Sequence, residues 1–309
     1  MSSSSDAVAG RPAERYGPTA FSWTRLLEWS VRREIWENRS IYAAPLAVAA
    51  LVLFIMVVSS GNLSHWRRVL LQPDPVRRQA ALEQPYDIAA MMIFFTVLFV
   101  GIFYCLDALH GERRDRSILF WKSLPVSDTT TVISKALVPL LVLPLLSFAI
   151  ILGIQTILWL VRGAVLMGSG LGPSVAGPQV RSVPSPPALL LAVLVTALWH
   201  APLYAWLLLV SGWAKRAAFL WAFLPFFVPS ALERGAFHTS FIGSFLRYRF
   251  LGWWGEALGP RGQDRYGLQA LTRLRPVEFL GRPGMWIGLA LAAAFLAAAV
   301  RLRRYREPI

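Results

Sequence analysis

The sequence predicts an all-α polytopic membrane protein with six transmembrane helices. Three observations carry that expectation. The 309 residues are 56% hydrophobic and only 16% charged, too apolar for a soluble chain of this length. Several uninterrupted apolar runs are long enough to cross a bilayer as helices. Basic residues gather at the ends of those runs, where membrane proteins carry their cytoplasmic anchors. A net charge of +14 would also suit a nucleic-acid binder. No aromatic-basic surface module accompanies it, so no nucleic-acid partner is expected. The single cysteine, Cys105, lies inside an apolar run, which excludes an internal disulfide and a cysteine metal site.

Taken in order, residues 1–20 lack periodicity and read as a disordered cytoplasmic tail without the apolar core of a signal peptide. Residues 21–39 read as an amphipathic helix. Trp23, Leu27, Val31 and Ile35 recur at four-residue steps, while Arg25, Arg32 and Arg39 fall on another side with Trp29 and Trp36 nearby. A basic, tryptophan-bearing helix ahead of a span suits the headgroup layer of the lipid bilayer. The transmembrane domain is expected over 40–303, followed by a cytoplasmic tail at 304–309. Its spans are expected near 41–59, 88–106, 136–161, 188–210, 217–232 and 285–302. Residues 61–85, with four arginines and three prolines, read as an external loop. Pro139 and Pro144 are placed to kink the third span. Residues 163–187 are rich in Gly, Pro and Ser and read as an outer loop. Residues 237–254 are apolar and aromatic, but Arg247 and Arg249 interrupt them. Each charge at bilayer depth costs about 2.5–3.5 kcal/mol on insertion scales, so this segment reads as re-entrant or interfacial helices on the outer face. The short clusters Lys215-Arg216 and Arg301 to Arg306 place both termini in the cytoplasm.

Between the second and third expected spans lies a charged island. It opens with Glu112-Arg113-Arg114-Asp115-Arg116 and continues with an apolar knuckle, Ile118-Leu119-Phe120-Trp121, and Lys122. Leu124-Pro125 ends the preceding helix, because proline disfavours helix at the residue before it. Ser127 and Asp128 stand where the N-cap of the next helix belongs. An apolar knob ringed by charge is what a docking element offers a soluble partner. On that reading Phe120 and Trp121 fill a groove, and Glu112, Arg113, Arg116 and Lys122 form its rim.

Glu112, Arg113, the Ser117-Ile118-Leu119 step, Leu124-Pro125-Val126-Ser127 and Ser134-Lys135 together resemble the first cytoplasmic loop of permease subunits of type 2 ATP-binding-cassette (ABC) exporters. Arg116-Ser117 stands where that family often has a Gly-Thr step. The resemblance implies that the loop is a coupling helix seated in an ABC ATPase subunit, with Ile118 and Pro125 part of the contact. It implies that the 21–39 helix is the elbow helix. It implies a complex of two permeases and two ATPases in the cell (inner or plasma) membrane, exporting an amphipathic, lipid-like, drug or peptide substrate. ATP and Mg²⁺ would then sit on the partner ATPase, with no cofactor in this chain.

The residues themselves hold no sign of catalysis. None of Lys122, Lys135 and Lys215 follows a Gly-rich phosphate loop. His65, His110, His200 and His238 have no metal-ligand spacing, and no His-Glu-x-x-His occurs. His200 lies mid-way along the fourth span, beside Trp199 and just before Pro202. It reads either as a polar contact between helices or as part of a translocation path. Tyr104 and Tyr204 carry the same two readings, and Asp107 reads as a path residue or as the partner of a nearby arginine. Two rival functions remain: a secondary transporter driven by an ion gradient, which would show internal repeats and charged midplane sites, and a membrane anchor or assembly factor that transports nothing.

Overall fold

The computed structural model describes residues 22–62, 68–69, 71–123, 126–168, 185–236, 238–241, 243–245, 248–249 and 280–305. Every regular element among them is helical. α1 is Trp23–Glu37 and α2 is Ser40–Ser60. α3 is Pro75–Ala108, followed by the short α4, His110–Arg114, and α5, Ser117–Ser123. α6, Asp128–Leu137, passes through a π-helical turn at Val138–Val142 into α7, Leu143–Gly168. α8 is Pro186–Trp213, α9 is Ala218–Ala236 and α10 is Pro283–Tyr305.

Among the described residues, five helical stretches are long and apolar enough to cross a membrane: Ser40–Ser60, Pro75–Arg114, Asp128–Val165, Pro186–Trp213 and Pro283–Tyr305. The fifth expected span, 217–232, is helical as α9 but does not join that group. It holds Pro225 and Pro229 and ends on Glu233-Arg234, which dilute its apolar character.

The second span corrects the sequence reading. The expected external loop, 61–85, ends early, because α3 already begins at Pro75. Asp74 accepts a hydrogen bond from the Val76 N–H at 2.9 Å, and Pro75 fills the first helical position, where its missing N–H costs nothing. Pro85 is carried inside the helix rather than ending it. The capping expected at Ser127 is present. Its hydroxyl accepts from the Thr130 N–H at 3.1 Å, and α6 starts at Asp128. Pro139 lies in the π-helical turn and Pro144 just beyond it, where one widened turn accommodates carbonyls that proline leaves without a partner.

Packing is densest between α8 and α10, with α2, α3 and α7 completing the bundle. Trp199, Tyr86, Ile41, Ile93, Leu143, Leu158 and Leu207 are fully buried at its centre. Gly101 permits a close approach of α3 and α8, since a Cβ there would stand 2.9 Å from the Tyr204 ring. The outward faces are apolar as well. Phe95, Phe99 and Phe103 form an exposed stripe at four-residue steps on α3, and Leu51, Phe54, Ile55 and Val58 do the same on α2. Such faces would be costly in water and suit hydrocarbon.

Residues 1–20 and the last part of the expected C-terminal tail, 306–309, lie outside the described residues. Of the expected re-entrant segment 237–254, residues 238–241, 243–245 and 248–249 are described, with helix at 241, 243–245 and 248–249.

Candidate functional site

α1 presents its helix to α6 rather than lying apart. Leu26, Leu27, Ser30, Val31 and Ile35 are half-buried against the bundle, and Trp23 remains exposed. The most buried side chain of this helix is acidic: Glu34 is 1% exposed. Burying a carboxylate is tolerable only with charged partners, and Glu34 has several. Lys135 of α6 donates to its Oε1 at 2.9 Å, Arg33 Nη2 lies 2.7 Å from the same oxygen, and Tyr104 of α3 donates to Oε2 at 2.8 Å. Burial alone would raise the Glu34 carboxyl. The Lys135 charge and hydrogen bond, then Arg33 and Tyr104, hold it below its ordinary value instead.

Lys135 also reaches Glu112 of α4 at 3.1 Å. The second oxygen of Glu112 takes a hydrogen bond from Arg303 of α10, and Arg303 Nε reaches Asp128 at 3.2 Å. Arg33, Lys135 and Arg303 therefore balance Glu34, Glu112 and Asp128. Five segments contribute: α1, α3, α4, α6 and α10. In such a cluster each charge is neutralised locally while the helices that carry them are tied together. Glu37, half-exposed at its edge and 3.5 Å from Arg33, has its carboxyl pushed up by burial and by the neighbouring Glu34 and Glu112 charges against the pull of Arg33.

The charged island is thus folded inward at its start. Arg113 is 5% exposed and donates through Nη1 to the Gly212 carbonyl at 2.9 Å and the Ala214 carbonyl at 3.3 Å. A cation there satisfies carbonyls at the C-terminus of α8, the negative end of its dipole. Ser211 Oγ accepts the N–H groups of Leu109 and His110 at 3.0 and 2.8 Å, which fastens α4 to the same helix end. The expectation of a rim formed by Glu112 and Arg113 is therefore corrected. Both side chains point into the protein, because each finds there a partner that water would otherwise supply.

Beyond α4 the chain turns outward. Arg116 has φ 57°, the left-handed conformation that glycine adopts without strain, and its side chain is exposed. In α5, Ile118 is buried at 2% exposure and roots the helix. Phe120 is 60% exposed. Trp121 is half-buried, meeting Phe120 edge-to-face at 5.0 Å, with the Arg33 guanidinium 3.8 Å from its ring centre. Pro125 and the side chain of Lys122 lie outside the described residues.

The four candidate path residues stand in four different surroundings. Tyr104 belongs to the ion cluster. Asp107 is exposed, 3.9 Å from Arg114. Tyr204 packs on Gly101. His200 is buried, with Nδ1 2.8 Å from the Thr196 carbonyl of its own helix and its ring 6.1 Å from that of Phe94 on α3.

Glu34, Lys135 and Arg303 were not singled out as site residues from the sequence. A signal existed for the first two. Glu34 falls in the stripe Leu27, Val31, Glu34 of an otherwise apolar face, and Lys135 sits between Val132 and Ala136 on the buried face of α6. A charge within the apolar stripe of an amphipathic helix marks a buried partner.

A second feature lies between α8, α9 and α10. A cavity of about 620 Å³ is walled by Leu203, Trp206, Phe223, Phe226, Ile287, Leu291 and Phe295, with His200, Tyr248 and Arg249 also on its surface. Among the described residues no group of His, Cys, Asp and Glu could hold a metal ion. No family model, curated protein or solved structure matches this chain.

Proposed function

We propose that this chain is the membrane-spanning subunit of an ATP-driven exporter, with α4 and α5 taking the stroke of a separate ATPase. One arrangement supports the reading. A short surface helix offers the exposed aromatic Phe120, and α4, which leads into it, is fixed by ion pairs and hydrogen bonds to α1, α6, α8 and α10. A push on α5 would therefore be felt by several spans at once, as power transfer from a soluble motor requires. α9 serves as the sixth span, both termini face the cytoplasm, and α1 lies in the headgroup layer as an elbow. Two copies of the chain would work with two ATPases, which hold the ATP and Mg²⁺. With no Gly-rich phosphate loop in the sequence, this chain hydrolyses no ATP itself.

A transporter driven by a proton gradient is the nearest rival, since Glu34 is a buried carboxyl. Its carboxyl is held below the ordinary range, which keeps it charged at neutral pH and favours a structural role over proton carriage.

The test is co-purification with the ATPase and stimulation of its ATP turnover, with Phe120→Ala and Trp121→Ala compared at equal expression. Phe120→Ala should lose about 2–4 kcal/mol of partner binding, as truncated aromatic anchors do, while thermal stability is unchanged. Full binding and stimulation by both variants would remove α5 as the contact.

A further inference from the structure

We propose that the cavity between α8, α9 and α10 binds the acyl chain of an amphiphile whose acidic head sits on Arg249. The inference stands apart from the ATP-driven reading, because binding needs no motor. It begins with the uneven chemistry of the wall. Along α10 the cavity runs from Gly284 to Phe295, about 16 Å at 1.5 Å per residue. Its deep end is aromatic, where Trp206 meets Phe226 and Phe295 at ring distances of 5.6 and 5.5 Å. The guanidinium of Arg249 stands at the other end.

That guanidinium is held in place but incompletely used. Its Cζ lies 4.5 Å from the centre of the Trp199 ring, and Nη1 donates to the Gly284 carbonyl at 3.3 Å. Nη2 is buried and has no hydrogen-bond partner among the described residues. It lies so close to Gly288 that a Cβ at that position would collide with it. No carboxylate is paired with Arg249 among the described residues. A half-buried cation with a spare donor, on the wall of an apolar cavity, calls for an anion that brings its own apolar body. The cavity volume falls within the range of about 300–1,000 Å³ that encloses small-molecule ligands. A carboxylate or phosphate head would lie against the Arg249 guanidinium, and its chain would follow the aromatic wall toward Phe295. The head could come from a free amphiphilic acid or from a bilayer lipid.

Native mass spectrometry of the full chain in a neutral detergent tests this, with palmitate as probe and hexadecanol as its uncharged counterpart. Palmitate should bind saturably, one per chain, and at least tenfold more tightly than hexadecanol. Arg249→Gln should abolish that preference. Gly288→Ala keeps the charge but displaces the guanidinium, so it should weaken palmitate at least fivefold with the melting temperature preserved. Phosphatidylglycerol that co-purifies with the wild type, is lost in Arg249→Gln and is displaced by palmitate would assign the site to a lipid head. Its failure to compete would assign the site to the free acid. Equal binding of acid and alcohol, or equal palmitate binding by wild type and both variants, would overturn the proposal.

Discussion

The two polar features of this molecule handle buried charge in opposite ways. Where α1, α4, α6 and α10 meet, three cations face three carboxylates, and Glu34 alone has three partners within 2.9 Å. At the cavity beside α8, one guanidinium rests on an indole face and one carbonyl, with a nitrogen left over. The first arrangement is closed. Every charge there has an opposite charge within 3.2 Å, which ties the helices together, and removing one leaves others stranded. The second is open, with a cation on the cavity wall that has no carboxylate beside it among the described residues. The comparison teaches that buried charge alone does not distinguish a girder from a binding site. The balance of donors and acceptors does.

The largest effect that would expose this difference lies at Lys135. Lys135→Met leaves Glu34 and Glu112 buried without their shared cation, and breaking a buried pair by removing one partner costs about 3–5 kcal/mol. Thermal unfolding in detergent should show that loss. The double variant Glu34→Gln with Lys135→Met should recover part of it, since the stranded Glu34 charge is then absent. No recovery would mean that Lys135 acts through packing rather than charge.

Acid titration gives a smaller effect of defined sign. The Glu34 carboxyl lies below its ordinary value of 4.5 in the folded protein. The folded state then binds fewer protons than the unfolded one in that window. The contribution of Glu34 to stability is full above the unfolded value and is lost as pH falls through the lower, folded value. Stability of the wild type should fall below about pH 4.5 more steeply than that of Glu34→Gln. Identical acid limbs would show that Glu34 does not titrate with folding. The guanidinium at the cavity adds nothing to this limb, because arginine stays charged throughout.

Much of the helical framework was legible in the sequence, and the ion cluster was not. Apolar runs mark five spanning stretches because lipid-facing and buried positions are both apolar in such a protein. Ser127 was readable as a cap because its partner is three residues away. The start of α3 was misplaced because the four arginines and three prolines of 61–85 were read as a loop, although Asp74-Pro75 carries a local start signal. Glu112 and Arg113 were read as the charged rim of a docking contact because their partners, Lys135, Arg303 and the α8 carbonyls, come from distant parts of the chain. Local pattern gives a charge its helix face, but only tertiary packing supplies its counter-charge. Arg249 was weighed as a charge that argues against a span. Its place beside an aromatic cavity depends on α9 and α10, which no local pattern around residue 249 encodes.

The smallest expected effect is at Arg249 itself, and it is the sharpest test of the contrast. Arg249→Leu removes one hydrogen bond to a carbonyl and a stacking contact with Trp199. It also removes a poorly satisfied cation from an apolar surrounding. The lost contacts are worth about 1–3 kcal/mol, and relief of desolvation offsets much of that. Unliganded Arg249→Leu should therefore melt within about 1 kcal/mol of the wild type, far from the loss at Lys135. Saturating palmitate should then separate them. A ligand at a hundred times its Kd adds about 2.7 kcal/mol to the folded state that binds it, so the wild type should rise and Arg249→Leu should not. A loss in the unliganded variant as large as that of Lys135→Met would mean that Arg249 is a second girder, and the distinction between closed and open charge would fail.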